Sequence, residues 1–275
     1  MRSHYSVVTA VLVVGASVLL SACSDDSRPM ASGSVDDVAG QIELVALGSI
    51  EDQGIRVTLH GPEMLQSGYT PLEVELVDIA TGAPIQSAQV QITPMMHLQT
   101  DDGEMNHSAP TEPPLAQAST DGCFSNPVVL IMPGSWHLHV SFAEAQGKQG
   151  TVTFDLDVEE GDRIARLTGE DGAAYFVALV APQTAVVGRH DLELAVFRRE
   201  TMMSFPPEMD LDIDMEPSMP AMGHGSPENE SPLHTGAGHY TGKVNFIMTG
   251  DWRIDLTLRR QDTLIASTHF DLTVE

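Results

Sequence analysis

Residues 128–140 have the sequence VVLIMPGSWHLHV, and residues 244–256 have the sequence VNFIMTGDWRIDL, so one pattern occurs twice in the chain. Val, Ile, Met, Gly and Trp recur in it at a constant spacing of 116 residues, as in Trp136 and Trp252. Solenoid repeats have periods of roughly 20 to 50 residues, so this much longer period indicates a whole domain. The sequence therefore predicts a tandem duplication.

The correspondence continues on the N-terminal side of this block in the same order. Val57 and Val177 are 120 residues apart, and the Met-x-His pair at Met105 and His107 returns 117 residues later at Met222 and His224. Small shifts between otherwise constant spacings are what short loop insertions produce. Two copies of one fold are expected.

The hydrophobic pattern of each copy predicts strands and no helices. Apolar and polar residues alternate over 72–77, 90–92, 152–156 and 270–274, which is the period of a half-buried strand. In the repeated block, alternation on both sides of Gly134 predicts a β-hairpin with Trp136 in the core. About 100 residues with several short strands and one buried Trp are typical of an immunoglobulin-like β-sandwich. The predicted class is all-β, with two such sandwiches in tandem.

The N terminus predicts export and a lipid anchor. An apolar run from Val7 to Leu20 is too short for a permanent membrane helix and indicates a cleaved signal peptide over residues 1–22. Leu20-Ser21-Ala22-Cys23 fits a bacterial lipobox, so we expect Cys23 to carry the lipid. An ordinary signal peptide with an incidental cysteine is the alternative.

The remaining boundaries follow from composition. Residues 23–50 are predicted to be a flexible tether, 51–158 the first domain, 159–171 a linker and 172–275 the second domain.

A net charge of −26 with 42% hydrophobic residues describes soluble, acidic domains, which makes nucleic acid an unsuitable partner. The sequence contains no motif of nucleophilic, metal-dependent or nucleotide-dependent catalysis, so an enzyme is the least expected class.

Methionine and histidine cluster in one loop region of each copy. Thioethers suit Cu(I) and imidazole suits both copper oxidation states, so this loop in the second domain is a candidate copper site. The alternative is that the methionines fill gaps in the sandwich core. The candidate ligands are Met215, Met219, Met222, His224, His234 and His239, with Met96, Met105 and His107 as weaker candidates in the first domain.

The string Met-Pro-Ala-Met-Gly-His-Gly at 219–225, followed by Gly-x-Tyr-x-Gly-x-Val-x-Phe-x-Met-x-Gly-x-Trp at 238–252, resembles the YtkA-like/FixH-like domain of bacterial exported proteins. The first copy is a degenerate version, with Cys123-Phe124 where His239-Tyr240 stand. The resemblance implies an association with copper and with assembly of respiratory oxidases.

Two hypotheses follow for function. The first is a non-enzymatic lipoprotein of the cell envelope, facing the periplasm or the cell exterior, that binds or delivers copper through its second domain. Its partners would be the membrane, through the lipid anchor, and another envelope or respiratory-chain assembly protein. The alternative is an interaction module of the envelope that binds no metal.

Overall fold

The computed structural model describes residues 42–100, 103–113, 118, 122–144 and 147–275. The regular secondary structure in this part of the chain consists of β-strands alone. The first half contains β1 (Leu44–Asp52), β2 (Ile55–Pro62), β3 (Gly68–Thr70), β4 (Glu73–Asp78), β5 (Ala88–Thr100), β6 (Gly103–His107), β7 (Cys123–Ser125), β8 (Val128–Leu130), β9 (Gly134–Glu144) and β10 (Gln149–Val158). The second half contains β11 (Ile164–Thr168), β12 (Ala174–Ala181), β13 (Gly188–Arg199), β14 (Asp212–Met219), β15 (His224–Gly225), β16 (Glu230–Gly236), β17 (His239–Phe246), β18 (Gly250–Arg260) and β19 (Thr263–Val274). The all-β prediction is confirmed.

Each half is a sandwich of two antiparallel sheets. The first sandwich packs the sheet β1-β2-β4-β7 against β10-β9-β5-β6, with β3 and β8 forming a short additional pair. The second packs β11-β12-β13-β17-β16 against β15-β14-β18-β19. Trp136 and Trp252, from the repeated block, are buried in the two cores. The predicted pair of immunoglobulin-like sandwiches is confirmed.

The strand registers match the sequence repeat residue by residue. Val57 pairs with Leu76 in the first sandwich, and 120 residues later Val177 pairs with Val196. Gly68 faces Leu130 just as Gly188 faces Phe246. The second sandwich has continuous strands β13 and β17 where the first has the interrupted pairs β3–β4 and β7–β8. The two copies therefore share one topology with different local breaks.

The repeated block is not the hairpin that its alternation predicts. β8 pairs with β3, whereas the next strand, β9, pairs with β5 and β10 in the opposite sheet. The chain crosses between sheets at Gly134 and again at Gly250, whose φ values of 126° and 124° suit glycine. A hairpin and a sheet-to-sheet crossing have the same alternating pattern, because in both the buried side chains point into one core.

Two strands lie where the sequence predicts irregular chain. β1 begins at Leu44, inside the predicted tether of residues 23–50, and pairs with β2 along its length. β11 lies inside the predicted linker of residues 159–171 and forms the edge of the second sandwich. Both segments are half polar because one face of an edge strand is solvated, and this makes them resemble loops. The predicted signal peptide and the predicted lipidation site at Cys23 lie outside the described residues.

The two sandwiches share a hydrophobic interface. Phe176, Phe197 and Phe205 of the second half belong to the buried cluster that includes Trp136 of the first. Polar contacts cross the same boundary: Arg166 donates to the Ile131 carbonyl and, over 2.9 Å, to the Ser67 hydroxyl. The segment between the domains is thus a packed junction.

Candidate functional site

A tight hairpin at one end of the second sandwich carries three of the predicted ligands. Met219, the last residue of β14, pairs directly with His224, the first residue of β15. The backbone N–H groups of Met222 and Gly223 donate to the Met219 carbonyl over 3.0 and 2.9 Å, which closes the turn. Two thioethers and one imidazole are therefore held on six consecutive residues.

The two methionines of this hairpin differ sharply in exposure. Met219 is 5% exposed and packs in the core of the sandwich, whereas Met222 is 59% exposed. A Cβ atom at Gly250 would lie 2.9 Å from the Met219 methyl carbon, so the glycine makes room for this side chain. One sulfur is fixed by packing, and the other is accessible from solvent.

His224 is oriented in the way that metal-binding histidines commonly are. Its Nδ1 is 3.1 Å from the Gly225 carbonyl oxygen, which accepts the Nδ1 proton and leaves the Nε2 lone pair for a ligand role. The ring lies edge-on to Trp252, with 6.2 Å between ring centroids. The hairpin thus carries Met219, Met222 and His224 within one turn, with the His224 ring beside a buried indole.

The first sandwich contains the same arrangement. Met96 pairs directly with His107 across β5 and β6, and His107 Nδ1 is 3.0 Å from the Ser108 carbonyl oxygen. The ring lies edge-on to Trp136 at 5.3 Å, and Met105, two residues before the histidine, is exposed. Met96 occupies the position of Met219, and a Cβ at Gly134 would lie 3.1 Å from its methyl carbon.

The match between Met96 and Met219 is hidden in the sequence. Their histidine partners follow after 11 and 5 residues respectively, so no constant spacing aligns the methionines. Sequence reasoning also assigned Trp136 and Trp252 to the core alone and missed their contact with the histidines. The signal that could have found them is the joint recurrence of Met-x-His and Met-x-Gly-x-Trp in both copies.

The other three predicted ligands lie elsewhere. Met215 is four residues before Met219 on β14, about 13 Å away along an extended strand, and is half-buried against the core. His234 is exposed on β16, with its ring 5.3 Å from that of Tyr240. Neither belongs to the hairpin cluster.

His239 lies at the opposite end of the sandwich from His224. It begins β17, which ends at Phe246, and the Phe246 ring is 5.5 Å from the Trp252 ring that contacts His224. Seven residue steps of extended chain span about 23 Å. The structure therefore divides the six predicted ligands of the second domain and does not bring them into a single shell.

Both nitrogens of His239 are engaged by carboxylates. Nδ1 is 2.7 Å from Glu193, and Nε2 is 2.8 Å from Glu112 of the first sandwich. Burial lowers the pKa of His239, but hydrogen bonds and charge from the two glutamates outweigh this and raise the pKa to about 9. At neutral pH this residue is a cation joining the two sandwiches, which leaves no lone pair for a metal.

Residues 170–257 match the YtkA-like family model. This match spans the β14–β15 hairpin, Trp252 and His239, and it supports the expected resemblance for the second sandwich. No curated protein matches the chain in sequence.

The solved structures similar to this chain include bacterial surface proteins of low identity. A solved chain of the Escherichia coli adhesin FdeC is 13% identical, with 84% of this chain and 65% of the FdeC chain in that structure covered and a TM-score of 0.25. Domains 5–6 of the S-layer protein SbsC are 11% identical, with 84% and 99% covered and a TM-score of 0.31. The match covers just under two thirds of the FdeC chain in that structure. Neither likeness bears on the chemistry of the candidate site.

The donor set of the hairpin fits a soft cation. Among the described residues, no three His, Cys, Asp or Glu side chains are grouped so that they could hold a metal ion. The hairpin itself offers two thioethers and one imidazole, and these ligand types favour Cu(I) over harder ions. In the same part of the chain, no helix is long and apolar enough to cross a membrane.

Proposed function

We propose that this protein is a non-enzymatic, lipid-anchored protein of the cell envelope whose YtkA-like domain binds Cu(I) through Met219, Met222 and His224. The single observation that carries this proposal is the recurrence of one constellation in both sandwiches: two methionines, a histidine with its Nδ1 bonded to a backbone carbonyl, and a tryptophan beside it. Core packing alone does not require an exposed Met two residues before the histidine in each copy.

The ligand types suit holding copper and passing it on. Thioethers and a neutral imidazole bind Cu(I) without adding negative charge. Met222 lies on the surface of the hairpin, so a partner's own soft ligand could replace its sulfur first, while Met219 and His224 still hold the ion. The bound ion would supply no catalysis in this role.

The lipobox supports the proposed anchor, and the resemblance to the YtkA-like/FixH-like domain supports the proposed partner. Cys23 would tether the chain to a membrane through its lipid, and the recipient would be another envelope protein, such as one that assembles a respiratory oxidase. A net charge of −26 disfavours nucleic acid.

The test is a titration of the purified full chain with Cu(I) against a competing chromophoric chelator. Met222→Ala and His224→Ala are each expected to weaken binding at the second sandwich at least tenfold, because each removes one of three donors. Circular dichroism before titration verifies that the variants are folded.

Met209→Ala is the matched control, because this methionine is as exposed as Met222 but lies outside the hairpin. It should bind copper as the wild type does. Equal, weak binding by all three variants and the wild type would contradict the proposal.

A second candidate is a protein-interaction module that binds no metal. Met203, Met209 and Leu233 are more than half exposed on the second sandwich, and exposed apolar side chains are common in docking surfaces. This alternative is favoured if the chain binds no Cu(I) while Leu233→Ser abolishes capture of an envelope partner.

A further inference from the structure

The first sandwich contains a buried nitrogen whose role the fold does not explain. His107 is 3% exposed, and its Nε2 atom has no hydrogen-bond partner in the described part of the chain. A buried polar atom of this kind is destabilising unless a ligand or partner satisfies it. Because Nδ1 bonds to the Ser108 carbonyl, Nε2 is the nitrogen that carries a lone pair.

Two methionines share a sheet face with this histidine. Met96 lies directly opposite His107 across β5 and β6, and directly opposed side chains in a sheet share one face. Met105, two residues before His107 on β6, also lies on that face by strand alternation and is 43% exposed. A buried thioether, a buried imidazole and an accessible thioether thus occur together.

We propose that the first sandwich holds a second soft-metal site formed by Met96, Met105 and His107, so that the chain binds two Cu(I) ions. This goes beyond the proposed function, which concerns the second sandwich alone, and the two can fail separately. His107 is more buried than His224, so this site is the more enclosed of the two, and its ion should dissociate more slowly.

The chain provides its own reporter for each site. It has two tryptophans, and Trp136 and Trp252 each contact one of the two histidines. Ag(I), a redox-inert substitute for Cu(I), should quench both when titrated into the full chain. We expect two equivalents for the wild type, and one equivalent each for His107→Leu and His224→Leu.

His60→Leu is the matched control, since His60 is also a buried histidine of the first sandwich but lies on β2 in the opposite sheet. It should retain two equivalents. Met105→Ala provides a variant that changes only an exposed side chain, and it should weaken binding at the site in the first sandwich without altering the fold.

The outcomes separate the two ideas. If the wild type binds one equivalent, and this is lost in His224→Leu but kept in His107→Leu and Met105→Ala, the site in the first sandwich is overturned and the proposed function stands. If the wild type binds one equivalent and only His107→Leu loses it, the site in the first sandwich stands and the proposed function is overturned. If two equivalents persist in both His107→Leu and Met105→Ala, the site in the first sandwich is also overturned, because His107 would then be only a core residue.

Discussion

At the scale of single residues, the candidate sites combine side chains with opposite structural roles. Met219 and Met96 are part of the cores, whereas Met222 and Met105 are exposed. The packing role of methionine, one of the two alternatives weighed from the sequence, therefore applies to Met219 and Met96, whereas the proposed ligand role applies to all four methionines. A buried thioether can serve both roles.

This division predicts unequal effects of truncation on stability. Met219→Ala should lower the free energy of unfolding by about 2 to 5 kcal/mol, as core truncations do. Met222→Ala should change it by less than about 0.5 kcal/mol, because the side chain is on the surface. Urea unfolding of both variants without metal is the measurement. Equal losses would show that Met222 packs in solution.

At the scale of strands and turns, the glycine at each sheet crossing serves two purposes. Gly134 and Gly250 turn the chain from one sheet to the other in a backbone conformation that suits glycine, and they leave space for the methyl groups of Met96 and Met219. The shape of the site is thus coupled to the connection between the sheets.

Gly250→Ala tests this coupling. The added Cβ would contact Met219, and the positive φ adds about 1 to 3 kcal/mol of strain, so both stability and Cu(I) affinity should fall. Gly236→Ala is the control: Gly236 has a similar φ of 139°, but a Cβ added there would meet no atom within 4 Å. That variant should lose stability and keep its affinity for copper. Loss of affinity in both would exclude a specific role for the Met219 contact.

The sequence predicted the positions of the strands better than the pairing between strands and the contacts between distant residues. Alternation located β4, β5, β10 and β19, because it reports directly which face is buried. It could not distinguish a hairpin from a crossing at Gly134, nor show that His239 faces Glu112. Those facts depend on contacts between distant parts of the chain. Residues near in sequence, such as Met222 and His224, do lie on one hairpin, whereas His239 is separated from them by the length of β17.

At the scale of the whole molecule, His239 links the two sandwiches: it contacts Glu193 of its own sandwich and Glu112 of the first. Tyr69 of the first sandwich packs edge-on against the same ring at 5.9 Å. The equivalent position in the first copy is Cys123, so this linkage belongs to the junction and was not inherited from the repeat.

The raised pKa of His239 predicts that stability depends on pH. The folded state holds the proton up to about pH 9, whereas the unfolded chain releases it near pH 6.5. The contribution is therefore complete below pH 6.5 and is lost as pH rises to about 9, at about 1.4 kcal/mol for each unit of pKa difference. Urea unfolding at pH 6, 7.5 and 9 should show this decline.

His239→Gln should flatten the decline, and Glu112→Gln should reduce it in part. The exposed His234→Gln is the control and should leave the profile unchanged. A wild-type profile that does not fall between pH 6.5 and 9 would contradict the assigned linkage.

The lipid anchor is a further prediction for the molecule as a whole. Cys23→Ser should release the protein from the membrane fraction, because the thiol that would carry the lipid is absent. Ser24→Ala keeps the thiol and should remain membrane-bound. Cell fractionation followed by immunoblotting measures both, and membrane attachment of Cys23→Ser would argue against lipidation.

The core that the two sandwiches share predicts an order in which they fold. The first sandwich ends its own strands at Val158, yet its buried cluster includes Phe176, Phe197 and Phe205 of the second half. A chain that emerges N terminus first therefore exposes an incomplete apolar face until the middle of the second copy has followed. We therefore expect the first copy to complete its folding only after the middle of the second copy is present, and a truncation near the domain boundary to leave apolar surface exposed.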